Sequence, residues 1–245
     1  MKNIFLLCAT VFLFSSCAVT RKLKDDEIEL KFLDEYVLPP DTEEDNTVVG
    51  GLSGIDYKNG KYYLICDDAA NPRIYRASID LNKNKIGNVS IEQLITVKKN
   101  NKFSNEFLDL EALNYDAEND EFYVVSEGKI DNAKDPGVFR LSNLGHIQAS
   151  FNIPNNFKAG KEQQPRNNGV FEGIAESFDQ KGYWVATELP LEKDASKPKI
   201  FPSRSHVRIT KFDKNSGQPV SQFAYQLDGI SKLPINYFAV NGVTE

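Results

Sequence analysis

One phrase recurs three times along the chain, and a repeat of this kind leaves few folds open. The copies are Gly51-Leu52-Ser53-Gly54-Ile55 leading to Tyr63-Leu64-Ile65-Cys66-Asp67, then Leu110-Glu111-Ala112-Leu113 leading to Tyr123-Val124-Val125-Ser126-Glu127, and Phe171-Glu172-Gly173-Ile174 leading to Trp184-Val185-Ala186-Thr187-Glu188. Each reads as a β-hairpin: two short runs rich in aromatic and β-branched residues, parted by turn formers such as Lys58-Asn59-Gly60 and Asp179-Gln180-Lys181-Gly182.

A third strand is expected after each hairpin, at Arg73 to Asp80, Val138 to Leu141 and Val207 to Asp213. A fourth is expected at Ile91 to Val97, Ile147 to Ile153 and Val220 to Leu227. No stretch keeps a 3.6-residue period beyond a turn or two, so the chain reads as all-β. Four-stranded units repeating at roughly 60 residues are the signature of propeller blades. About three blades are expected over residues 28–245. Leu30 to Pro39 resembles the fourth-strand segments and is expected to serve as an N-terminal closing strand, since an unpaired edge is a liability. Asn241-Gly242-Val243-Thr244-Glu245 reads as the opening of another repeat, so the ring is expected to be incomplete here and to continue past residue 245.

Residues 1–17 read as a processing segment. Lys2 is followed by the apolar run Ile4 to Phe14, too short to span a bilayer, and then by Ser15-Ser16-Cys17. Small residues directly before a cysteine resemble a bacterial lipobox, with Cys17 as the lipidated residue; an ordinary signal peptide cut near Ser16 is the other reading. Residues 18–27 then form a charged tether. Of the three cysteines, Cys8 leaves with the leader and Cys17 would carry lipid. Cys66 remains alone in an apolar strand, which excludes an intramolecular disulfide. The net charge of -6 argues against a nucleic-acid partner, because phosphate backbones select basic surfaces.

In an antiparallel hairpin the start of one strand lies beside the end of the other. Asp67, Glu111, Glu127, Glu172 and Glu188 are therefore expected at one rim of the blades, near the axis, with Asp68 and Asp109 close by. Converging carboxylates repel one another unless a cation offsets them, and Ca²⁺ accepts six to eight oxygen ligands. Three roles stay open at this point: metal ligation, proton transfer by a carboxyl of raised pKa, and structural capping that joins neighbouring blades. Glu111 and Glu172, on the axis-facing strands, are the candidate catalytic residues. Asp67, Glu127 and Glu188 are the candidate metal ligands, and Arg166 and Arg204 the candidate substrate contacts. Gly51-Leu52-Ser53-Gly54-Ile55 is no nucleophile elbow, because no strand-to-helix turn follows it. The two histidines, His146 and His206, offer neither a triad nor zinc spacing.

Taken in order, Leu52-Ser53-Gly54-Ile55-Asp56-Tyr57, Asp109-Leu110-Glu111-Ala112-Leu113, Gly169-Val170-Phe171-Glu172-Gly173-Ile174-Ala175 and Asn241-Gly242-Val243-Thr244-Glu245 resemble the successive repeat openings of the bacterial phytase-like family, that of the esterase-like activity of phytase. Glu127-Gly128 and Thr187-Glu188-Leu189-Pro190 resemble its hairpin ends. The likeness runs over about residues 48 to 245. It implies a secreted or lipid-anchored propeller-like domain whose recurrent acids mark a phosphoesterase site. Ser53, standing where the other copies carry Glu, departs from that pattern. The expectation is thus a cell-envelope lipoprotein, held to a membrane through Cys17, that hydrolyses a small-molecule phosphoester with Ca²⁺. The alternative is a non-catalytic envelope propeller that binds a ligand or protein partner at the same rim.

Overall fold

The computed structural model describes residues 31–161, 164–199, 204–230 and 241–244. The chain divides into two units, residues 1–33 and 34–245, and the fold below is that of the second. Cys17, the leader and the tether, together with Glu245, lie outside the described residues. Among the described residues no helix is long and apolar enough to cross a membrane.

Twelve of the strands fall into three four-stranded antiparallel sheets, each in simple sequence order. The first contains β3 (Leu52–Lys58), β4 (Lys61–Cys66), β5 (Arg73–Asn82) and β6 (Lys85–Thr96). The second contains β7 (Leu110–Asp116), β8 (Glu121–Ser126), β9 (Gly137–Ser142) and β10 (Ile147–Ser150). The third contains β11 (Phe171–Glu176), β12 (Gly182–Thr187), β13 (Ser205–Asp213) and β14 (Pro219–Leu227). A small hairpin, β1 (Glu43–Glu44) and β2 (Thr47–Val48), precedes them, turning on Asp45 and Asn46 at positive φ. The all-β, propeller-like reading holds, with each sheet a blade. The first strand of each blade lies innermost: β3 packs against β7, and β7 against β11.

Strand alternation gives every blade two faces, and the core lies between blades. Tyr63, Ile65, Ile74 and Ile95 of the first blade bury against Phe122, Val124, Phe139 and Leu141 of the second. On the other side of the second blade, Tyr123, Val125 and Val138 meet Tyr183, Val185 and Phe212 of the third. Each interface centres on an aromatic pair in matching positions: Tyr63 with Phe122, centroids 5.3 Å apart, and Tyr123 stacked on Tyr183 at 4.2 Å.

One expectation changes. Residues 31–39 form no strand. The segment instead uses its side chains: the Asp34 carboxylate accepts from the Ile86 N–H (2.9 Å) and the Lys85 ammonium (3.0 Å). Leu38, with Val49, covers the outer face of the first blade at Leu64, Cys66, Tyr75 and Ala77. A strand exists only where a second backbone offers a ladder, and a 3.6-versus-2 period cannot reveal whether that partner is present.

Candidate active site

The inner hairpins share a local irregularity that no sequence pattern announces. Leu52 pairs with Cys66 but Gly54 with Ile65; Leu110 pairs with Ser126 but Ala112 with Val125; Phe171 pairs with Thr187 but Gly173 with Ala186. One residue is therefore extra in each innermost strand: Ser53, Glu111 and Glu172. A β-bulge leaves that residue out of the ladder and re-aims its side chain. Beyond the bulge the chains rejoin. The Asp67 N–H donates to the Gly51 carbonyl (2.7 Å), Glu127 N–H to Asp109 (2.9 Å), and Glu188 N–H to Val170 (2.7 Å). Each bulge thus sets a second-strand carboxylate beside a first-strand one at the same blade end.

The acids then meet across blades. Ligand atoms of Asp67, Asp109 and Glu111 lie within 4.8 Å of one another, and so do those of Glu111, Glu127 and Glu172. Glu111 belongs to both groups and is 8% exposed. Burial, followed by the charges of Asp67 and Glu127, pushes its carboxyl up to about 7, against the pull of a hydrogen bond with Ser53. The Ser53 departure is in this light a hydroxyl next to the buried acid, where a carboxylate would add another like charge.

Asp109 is raised by burial first, then by a hydrogen bond with Asp67 and the charges of Asp67 and Glu127. Glu172 is raised by burial first, then by the charges of Glu111, Glu127 and Glu188 and by a hydrogen bond with Glu127. A hydrogen bond between two carboxyl groups needs a proton on one of them. Glu188 is raised as well, by burial and by Glu127, with Lys197 opposing.

Glu127 has a further task. Its Oε1 accepts from the Gly169 N–H (2.6 Å) and the Val170 N–H (2.7 Å), tying the second blade to the start of the third. It joins the acidic group and also caps the inter-blade junction. Asp68 turns away to Arg73, at 2.7 Å. Arg166 spends its guanidinium on the loop that follows β12, donating to the carbonyls of Pro190 (3.1 Å) and Ala195 (2.8 Å). Arg204 is exposed just ahead of β13, where its carbonyl faces His206 Nδ1 at 3.0 Å. Two lysines have fields that reach the acids, Lys129 at Asp109 and Lys197 at Glu188. Lys197 lies in a loop outside the repeated phrase and carries no sequence signal. Asp109 could be found, because it directly precedes Leu110-Glu111.

This arrangement can do two things chemically. An all-oxygen, carboxylate-rich set suits a hard cation such as Ca²⁺. A buried carboxyl with a pKa near neutrality suits proton exchange with water or substrate. A family model described as phytase-like, esterase-like activity of phytase, matches residues 47–245. No sequence among curated proteins matches the chain.

Proposed function

The chain belongs to the phytase-like family, a hydrolase-like group by its description, and from that premise we propose that its acidic rim hydrolyses a small-molecule phosphoester with the help of a hard cation, Ca²⁺ first. The observation that carries this reading is the shared position of Glu111, in two carboxyl groups at once and titrating near neutrality. Asp67 and Asp109, whose ligand atoms converge with that of Glu111, would hold the ion, with Glu127 and Glu188 at the margin. Such an ion supplies positive charge that attracts phosphate oxygens and makes bound water more acidic. Glu111 would take the proton from the water whose oxygen attacks phosphorus, and Glu172, kept protonated by its neighbours, would give one to the departing oxygen. Lys129, Lys197 and Arg204 would meet the phosphate; Arg166 would act through the loop it fastens.

A non-catalytic propeller binding an envelope ligand is the second reading, favoured by the two backbone N–H groups that Glu127 already serves. Titration calorimetry with CaCl₂ and turnover of an aryl phosphomonoester separate the two. Catalysis predicts Ca²⁺-dependent turnover, abolished by chelator and reduced on the order of 100-fold by Glu111→Gln. Ca²⁺ binding without turnover leaves the binding reading standing, and the absence of both signals overturns the catalytic one.

Location belongs to the same proposal. The leader ending in Ser15-Ser16-Cys17 supports a lipid anchor at Cys17 in the bacterial cell envelope. Detergent phase partitioning of wild-type and Cys17→Ser protein checks it: the wild type should enter the detergent phase and the variant the aqueous phase.

A further inference from the structure

Asp67 and Asp68 are neighbours in the chain with different surroundings. Asp67 joins the acids of the rim, whereas Asp68 lines a cavity of about 570 Å³ that none of the rim acids enters. The cavity is bounded by the β1–β2 hairpin at Thr47 and Val48, the start of β5 at Arg73 and the end of β6 at Leu94 and Thr96. The segment leading to β7 closes it with Val97, Lys99 and Leu108. Its size is that of a small-molecule site, and Val48, Leu94, Val97 and Leu108 give it an apolar wall.

A buried cation is built into that wall. Arg73 is only 8% exposed, placed by its pairing with Cys66 of β4 and Thr96 of β6. Its Nε donates to the Tyr75 hydroxyl (2.7 Å), and its Nη1 to the Asp68 carboxylate (2.7 Å) and the Asn71 carbonyl (2.8 Å). Nη2 has no partner among the described residues, so part of the guanidinium fork is left open. A charge withdrawn from water is costly unless its donors are met. Lys99, in the same lining, donates to the Glu106 carbonyl (3.0 Å) and makes no ion pair among the described residues. Arg73 and Lys99 set against Asp68 leave the lining one net positive charge, in a chain whose own net charge is -6.

We propose that this cavity binds a small carboxylic acid with an apolar body. The carboxylate meets Arg73 Nη2 and Lys99, and the hydrocarbon lies against Leu94, Val97 and Leu108. A carboxylate brings the single negative charge that the lining balances, and its planar oxygens match a guanidinium edge. A phosphate dianion would set a second negative charge against Asp68. This site is distinct from the acidic rim and does not rest on hydrolysis there.

Titration calorimetry tests it, with acetate, butanoate and hexanoate as probes, in chelator so that no cation at the rim can hold a carboxylate. One acid should bind per chain, about fourfold more tightly for each added CH₂, which is the worth of burying that group. Hexanamide, the same body without the charge, and inorganic phosphate should each bind at least about tenfold more weakly than hexanoate. Lys99→Met, at an exposed position, should weaken hexanoate about tenfold, and Arg73→Gln should abolish its binding. Equal affinity for hexanoate and hexanamide overturns the proposal. So does phosphate binding as tight as that of hexanoate, an unchanged hexanoate affinity in Lys99→Met, or no binding of any acid.

Discussion

Glu111 and Glu127 are both buried acids at one rim, yet their surroundings assign them opposite costs of removal. Glu111 sits among like charges, so a neutral side chain relieves repulsion; Glu127 serves two backbone donors, so truncation leaves them unpaired. Glu127→Ala should therefore lower stability by about 1–3 kcal/mol. Glu127→Gln, which keeps an accepting oxygen, should cost much less. Glu111→Gln in the ion-free domain at about pH 8, where the native carboxyl is charged, should leave the melting temperature unchanged or raised. Thermal unfolding of the three variants measures this, and a Glu111→Gln loss as large as that of Glu127→Ala would refute the assignment. The sequence shows the recurring acids and their common rim. It does not show the distinction between them, because that rests on which backbone N–H groups a neighbouring blade brings within reach.

At the scale of elements, blades are held by apolar faces and by a few buried ions at the end of the strands opposite the acidic rim. Lys214, in the turn between β13 and β14, reaches across to Asp116 of β7 at 2.8 Å and to Glu176 of β11 at 3.2 Å. Asp116 is 3% exposed in its side chain, so the pair is desolvated. Removing one partner strands the other charge, and Lys214→Met should cost about 3 kcal/mol. Combining it with Asp116→Asn should recover most of the loss. Denaturant unfolding of the single and double variants checks this, and equal losses in both would show that the ion pair matters little. A charge-assisted hydrogen bond joins the first two blades, where the Asp56 carboxylate accepts from the Tyr115 N–H at 2.7 Å. The hairpins were legible from their alternating runs and turn residues. The bulges were not, since one extra residue in a strand leaves composition and apparent period nearly unchanged.

For the whole molecule, the acidic rim predicts how stability depends on pH. The Glu111 carboxyl is raised from 4.5 to about 7, so its stabilising contribution is complete below about pH 4.5 and lost as pH rises through 7. Asp109 and Glu172 shift the same way. Carboxylates that are lowered, such as Asp68 beside Arg73 and Asp116 beside Asn119 and Lys214, act in the opposite sense and lose their contribution in acid. The ion-free domain should thus melt at lower temperature at pH 8 than at about pH 5.5. Added CaCl₂ should raise the melting temperature more at the higher pH, where protons no longer compete for the carboxylates. Scanning calorimetry across that range with and without CaCl₂ provides the test, and a cation effect that grows toward acid would contradict it.

The repeated phrase by itself determined the strand-rich class, the four-stranded unit, the blade count among the described residues and the rim where the acids gather. These are local or periodic properties, and a pleated strand writes its alternation and its turns directly into the residue order. Only the tertiary structure decided that three bulges aim Ser53, Glu111 and Glu172 together, that Glu127 fastens the next blade, that Asp68 and Arg166 are occupied elsewhere, and that Asp34 and Leu38 hold on by side chains instead of a ladder. Each of these depends on contacts between segments far apart in the chain. Burial and the approach of like charges, which set the chemistry of the acids, exist only once the blades have packed.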